Sequence, residues 1–131
     1  MPDCIFCKIV SKEIPASTVW ENERFLTILD VQPINPGHLL IIPKQHVDVI
    51  YDLPADLYQE VFEIAKQLSV PLQKAMQPKR IGMSVEGFGV PHAHVHLIPI
   101  NAVGELNPER ARTVDQEELK QIAEKIKQEI K

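Results

Sequence analysis

Apolar positions recur with two different periods along this chain. Short runs rich in β-branched and aromatic residues occur at Thr18-Val19-Trp20, Phe25-Leu26-Thr27-Ile28-Leu29 and His38-Leu39-Leu40-Ile41-Ile42, and each predicts a strand. Asn22-Glu23 reads as a turn, and Gln32-Pro33-Ile34-Asn35-Pro36-Gly37 is a breaker cluster that predicts a loop. The period then changes. Asp52-Leu53-Pro54 predicts a helix start with proline just inside it, and Leu57, Val61, Ile64 and Leu68 recur at helical spacing. Pro71 lacks an N–H and is expected to kink or end that helix. Residues 79–86 read as a strand, Gly87-Phe88-Gly89 as a tight turn, and 90–99 as a further strand. Residues 104–112 read as a loop. Thr113-Val114-Asp115-Gln116 resembles a capping box, and Leu119, Ile122, Ile126 and Ile130 mark one face of a last helix. Strands, helix, strands and helix in that order predict an α+β fold with a largely antiparallel sheet.

The 131 residues fit one domain with one core. No apolar run approaches about 18 residues, so no membrane span is expected. Met1-Pro2-Asp3-Cys4 lacks the basic and apolar regions of a secretory leader, which points to the cytoplasm. The net charge of −4 and the lone Lys79-Arg80 pair offer no basic stripe, so polymeric nucleic acid is not expected as a partner. A small phosphorylated ligand stays open, because imidazoles and backbone amides hold phosphate. Cys4 and Cys7 stand in Cys-x-x-Cys spacing. In a reducing compartment that spacing suits metal ligands or redox thiols better than a structural disulfide.

The chemistry concentrates in Pro91-His92-Ala93-His94-Val95-His96-Leu97-Ile98-Pro99. Three of the five histidines alternate there. On a strand, alternate side chains share a face at about 6–7 Å spacing, so His92, His94 and His96 are expected in one row, with Ala93, Val95 and Leu97 facing the core. Such a row suits metal binding, or nucleophilic attack by a neutral imidazole on phosphorus. A purely structural row is disfavoured because each buried ring nitrogen needs a partner.

With these residues in view, the sequence resembles the histidine triad (HIT) family. The match extends to Cys4-Ile5-Phe6-Cys7-Lys8-Ile9, Lys12-Glu13-Ile14-Pro15-Ala16, Asp30 and the segment from Pro36-Gly37-His38 to Lys44-Gln45-His46, and it covers about residues 3–100. The resemblance is to the branch with a Cys-x-x-Cys zinc site. It implies a single HIT-like domain, with an antiparallel sheet of about five strands and two helices, the second of them the C-terminal helix over 113–131. It also implies a homodimer with a joined sheet. It further implies hydrolysis or transfer at the α-phosphate of a purine nucleotide, as a phosphoramidate or a nucleoside polyphosphate, through a covalent nucleotidyl group on His94. His38 and His96 would complete the site. Asp30 would bind ribose hydroxyls, with Ile5, Phe6, Ile9 and Val31 around the base and Gly89 near the phosphate. Cys4, Cys7, His46 and His92 match the positions of a structural zinc. Two other readings remain: a nucleotide-binding protein with weak or incidental catalysis, and a zinc hydrolase with His92 and His94 as catalytic ligands.

The sequence departs from the family at Phe88, where many relatives carry a polar side chain, and at Gly89, where some use serine. An asparagine expected near Ile81-Gly82 has no clear counterpart, and Ile100-Asn101 stands where an arginine is common. The leaving group is therefore not fixed by the resemblance.

Overall fold

The computed structural model describes residues 4–130. Met1–Asp3, on which part of the leader expectation rests, and Lys131 at the end of the expected last helix lie outside the described residues. The elements run α1 (Ile5–Val10), β1 (Thr18–Glu21), β2 (Phe25–Leu29), β3 (Leu39–Pro43), α2 (Ala55–Met76), β4 (Arg80–Ser84), β5 (Val95–Ile100) and α3 (Gln116–Ile130). The five strands form one antiparallel sheet in the order β1-β2-β3-β5-β4.

Alternation divides the sheet into two buried faces. Phe25, Leu29, Leu39, Ile41, Val95 and Leu97 pack against Leu57, Val61, Ile64, Leu68 and Leu72 of α2 and Leu119 and Ile126 of α3. Leu26, Ile28, Leu40 and Ile42 face the other way and are covered by Phe6 and Ile9 of α1. Every residue of β2 and β3 is buried, which explains why both, Thr27 apart, read as apolar runs rather than as alternating ones.

Five expectations need correction. There are three α-helices among the described residues, not two; α1 has only six residues, too few to show a helical period, and the Cys4 sulfur caps it from Cys7 N–H at 3.4 Å. Pro71 neither ends nor breaks α2, which continues to Met76. An interior proline costs about 3 kcal/mol, and burial of Leu68, Pro71, Leu72 and Ala75 against the sheet offsets it. Pro54 is the N-cap of α2 rather than its first helical residue. The cap of α3 is Asp115, whose Oδ1 accepts from Glu118 N–H at 2.8 Å, so the capping residue lies two positions after Thr113.

The last correction concerns the histidines. β5 begins at Val95, so His92 and His94 precede the strand and only His96 lies in it. The β3–β5 ladder pairs Leu39 with Leu97 and Ile41 with Val95. Its next step would meet Pro43, which has no N–H to offer. Ala93 N–H instead donates to Val47 O at 2.7 Å and His92 N–H to Val90 O at 2.8 Å. The three rings therefore have three different settings.

Candidate active site and metal centre

The site lies on the sheet face opposite α2 and α3, where strand order sets its layout. Asp30 follows β2, His38 precedes β3, His96 lies in β5, and Ser84 ends β4. Asp30 N–H donates to His38 O at 2.9 Å, and His96 stands opposite Leu40 on one side and Ser84 on the other. With strands about 4.8 Å apart, these groups span roughly 14 Å across the face. A cavity of about 640 Å³ lies over them, lined among others by Ile5, Phe6 and Val31 and by Ser84, Phe88 and Gly89.

Gly37 sets His38 in place. Its φ is +92°, and a Cβ there would lie 2.8 Å from Met76 Cγ and 3.1 Å from Pro99 Cγ. Only glycine meets both conditions without strain.

Hydrogen-bond partners fix where the ring protons sit. Nδ1 of His38 accepts from Ile34 N–H at 3.0 Å, so its proton is on Nε2, which donates to His96 Nδ1 at 2.8 Å. His96 accordingly carries its own proton on Nε2. Burial, reinforced by neighbouring imidazoles, pushes His38 down to about 3 and His96 down to about 4. Both rings are neutral near pH 7. His94 Nδ1 lies 2.7 Å from the carbonyl oxygen of His92. A carbonyl only accepts, so Nδ1 carries a proton, and in the neutral ring the lone pair is on Nε2. The Phe6 ring meets His94 edge-on at 4.9 Å, and the His96 ring also lies 4.9 Å away. Asp30 Oδ1 accepts from Gln32 N–H at 2.9 Å, and Oδ2 lies 3.6 Å from His38 Nε2. Burial raises the Asp30 carboxyl above its usual range, opposed by that N–H and by His94.

His92 belongs to a different cluster. Its Nε2 donates to Pro43 O at 2.7 Å, which leaves Nδ1 bare and turned to the cysteines. That nitrogen lies 3.3 Å from Cys4 Sγ and 3.6 Å from Cys7 Sγ, and His46 Nδ1 lies 3.2 Å from Cys7 Sγ. Metal–ligand bonds of the usual lengths make a tetrahedral zinc site with edges of about 3.3–3.8 Å. The four donor atoms lie within 4.8 Å of one another, so the set fits a tetrahedral divalent ion. Burial first, and the nearby Cys4 second, raise the Cys7 thiol, while burial lowers His92. The imidazole is thus ready to ligate, and the thiol needs a cation to deprotonate it.

Asp30, His38 and His96 also lie within 4.8 Å of one another. The Ile34 N–H rules out a metal there in this arrangement, because it keeps a proton on the His38 nitrogen that would have to ligate. His94 belongs to neither group of donors, so among the described residues no cluster of three or more donors brings His92 and His94 together.

Of the residues singled out in the sequence, Ile5, Phe6, Asp30, Val31, His38, Gly89, His94 and His96 line the cavity. Ile9 does not; it is buried with Leu26, Ile28 and Leu40 behind Phe6. Sequence reading missed Glu86, Leu106, Pro108 and Ala111 on the cavity wall. Their segments carry no periodic pattern, and only the placing of Phe88 and Gly89 beside the triad hinted at this part of the wall.

A family model described as HIT domain matches residues 11–103. The adenosine 5′-monophosphoramidase HNT1 of Candida albicans is 34% identical over 138 residues, covering 97% of this chain and 91% of that protein. The adenylylsulfatase HINT3 of Arabidopsis thaliana is 32% identical over 102 residues, covering 74% of this chain and 52% of that protein. Among solved structures, a Hit-like protein from Bartonella henselae involved in cell-cycle regulation superposes with a TM-score of 0.88 at 27% identity, covering 98% of this chain and 97% of that one.

Proposed function

The chain belongs to the HIT domain family, and from that premise we propose that it is a nucleotide hydrolase or transferase in which His94 forms a covalent nucleotidyl intermediate. The observation that carries this reading is the setting of His94: Nδ1 is held by the His92 carbonyl, so the lone pair of the neutral ring is on Nε2, and the ring lines the cavity. Relatives named as an adenosine 5′-monophosphoramidase and an adenylylsulfatase support nucleotide hydrolysis as the reaction class.

In this reading the ribose lies at Asp30, with the purine between Ile5, Phe6 and Val31, and the α-phosphate over His94 and His96. The Nε2 lone pair of His94 attacks phosphorus while the bond to the leaving group breaks and its electron pair departs with that group. When the leaving group is an amine, it takes a proton from water. The Nε2–H of His96 donates to a phosphoryl oxygen, and His38 holds that ring by donating to its other nitrogen. Gly89 offers a backbone N–H on the same wall. Water then attacks phosphorus, releases the nucleoside monophosphate and returns the electron pair to His94. Cys4, Cys7, His46 and His92 would hold a structural zinc, and in doing so would tie α1 to the start of β5 and fix the carbonyl that orients His94. The protein works in this account as a cytoplasmic homodimer, which light scattering tests.

The test is turnover of adenosine 5′-phosphoramidate by the wild type and by His94→Ala, with nucleotide affinity measured on both. Lost turnover with retained affinity supports the enzyme. Equal low turnover in both proteins makes it a nucleotide-binding module instead.

A further inference from the structure

The β4 end of the cavity is unlike the β2 end. Asp30 and α1 lie at one end, the histidines in the middle, and Ser84 at the other. If ribose sits at Asp30 and phosphorus over His94, the group that departs must lie towards β4. Leu106 stands there, against Gly82 of β4, and Phe88 lines the same cavity from the segment that joins β4 to β5. Phe88 lines the cavity and is 92% exposed. Leu106 lines it from the segment between β5 and α3 and is 41% exposed. The placement of Leu106 is built in. A Cβ on Gly82 of β4 would come within 3.0 Å of Leu106 Cδ2, so the bare glycine is what lets this side chain seat against the strand. The segment is pinned as well: Asn35 donates to Pro99 O at 2.8 Å and to Glu105 at 3.1 Å, and accepts from Arg110 at 2.7 Å. Arg112 N–H closes the span on Pro33 O at 3.3 Å.

Charge at this end points the same way. The described cavity wall contains no lysine or arginine, while Glu86 lies on it. A leaving group bearing several negative charges would meet a carboxylate without a cation to offset it.

We propose that Phe88 and Leu106 form a leaving-group subsite that selects apolar, non-anionic leaving groups, so that the preferred substrates are nucleoside phosphoramidates of amines with an apolar body. This rests on the hydrolase reading above and narrows it. The bond broken is P–N; its electron pair goes to the amine, which is protonated by water, while the new P–N bond forms at His94. Partial burial of an aryl group against Phe88 and Leu106 raises kcat/KM by about tenfold.

The test compares four substrates that share adenosine 5′-phosphate: the unsubstituted phosphoramidate, its 2-phenylethylamine derivative, its β-alanine derivative and diadenosine tetraphosphate. Wild type, Phe88→Ala, Phe88→Leu and Leu106→Ala are assayed, with thermal melting to confirm that each is folded. The wild type is expected to favour the phenylethylamine derivative over the β-alanine one by about tenfold or more, with the tetraphosphate slowest. Phe88→Ala and Leu106→Ala should each pull the ratio of the two amine substrates towards unity, and Phe88→Leu should keep most of it. A ratio near one in the wild type, a ratio unmoved in both alanine variants, or fastest turnover of the tetraphosphate overturns the subsite. In those cases turnover of the unsubstituted phosphoramidate leaves the hydrolase reading standing. Failure to turn over any of the four overturns both.

Discussion

Nδ1 of His94 donates to the main-chain carbonyl of His92 at 2.7 Å, so the residue that faces the cysteines also sets the tautomer of the residue that faces the cavity. Two residues apart, they divide into a metal-facing imidazole and a cavity-facing one. The divide is made by the acceptors behind them: Pro43 O holds the far nitrogen of His92, and His92 O holds the near nitrogen of His94.

The metal set gives the first prediction. Freshly purified protein should contain about one zinc per chain by elemental analysis, and Cys7→Ser should contain much less. The variant's melting temperature should fall by about 10 °C, the shift expected when a domain of this size loses about 3 kcal/mol. Its turnover should fall too, since the His92 carbonyl is then less firmly placed. Zinc-free wild type with an unchanged melting temperature would contradict the assignment.

The buried neutral histidines give a pH prediction. His38 and His96 are pushed down to about 3 and about 4, below the 6.5 of an exposed ring. Below pH 6.5 the unfolded chain takes up protons that the native rings refuse. Stability is therefore full above about pH 6.5 and declines as pH falls from there towards 4. Each ring contributes a slope of at most about 1.4 kcal/mol per pH unit. Urea denaturation of the zinc-loaded protein at pH 7, 6 and 5 measures it. His38→Asn should flatten the slope.

Gly37 couples the fold to the site. Gly37→Ala forces a side chain into φ +92° and against Met76. It should cost about 2 kcal/mol or more. It should also lower kcat by about tenfold as His38 is displaced from His96, with a smaller change in KM. Equal stability and activity in the variant would mean that this turn does not position His38.

Thr27 provides a control away from the cavity. It is fully buried in β2, and its hydroxyl has no hydrogen-bond partner. Thr27→Val should raise stability by about 1 kcal/mol in denaturant melts and leave kcat/KM within twofold. A loss of stability would show that the hydroxyl is satisfied in solution.

Much of this was legible in the chain because the strongest signals are local. The β2 and β3 runs are apolar apart from Thr27 because both faces are covered, and Leu57 to Leu68 keep a helical period because α2 has one buried side. The triad and the Cys-x-x-Cys pair drew attention by spacing alone. What sequence could not show depends on contacts distant along the chain. The strand limit at Val95 follows from Pro43, which in the same register would stand opposite Ala93, 50 residues away in the sequence. The continuation of α2 through Pro71 follows from packing on the sheet. The placing of Leu106 on the cavity wall follows from the missing side chain at Gly82. Proton positions on the histidines were equally hidden, since each depends on a carbonyl or N–H supplied by the folded backbone.

The central claim is that His94 attacks phosphorus, and trapping the intermediate tests it most directly. Wild-type protein is mixed with adenosine 5′-phosphoramidate, quenched within milliseconds to seconds under conditions that preserve phosphorus–nitrogen bonds, and analysed by intact and peptide mass spectrometry. The account predicts a transient mass increase of one adenylyl group, localised to His94 and absent from His94→Ala. Full turnover with no adduct at any time, or an adduct on another residue with His94→Ala still active, would contradict it.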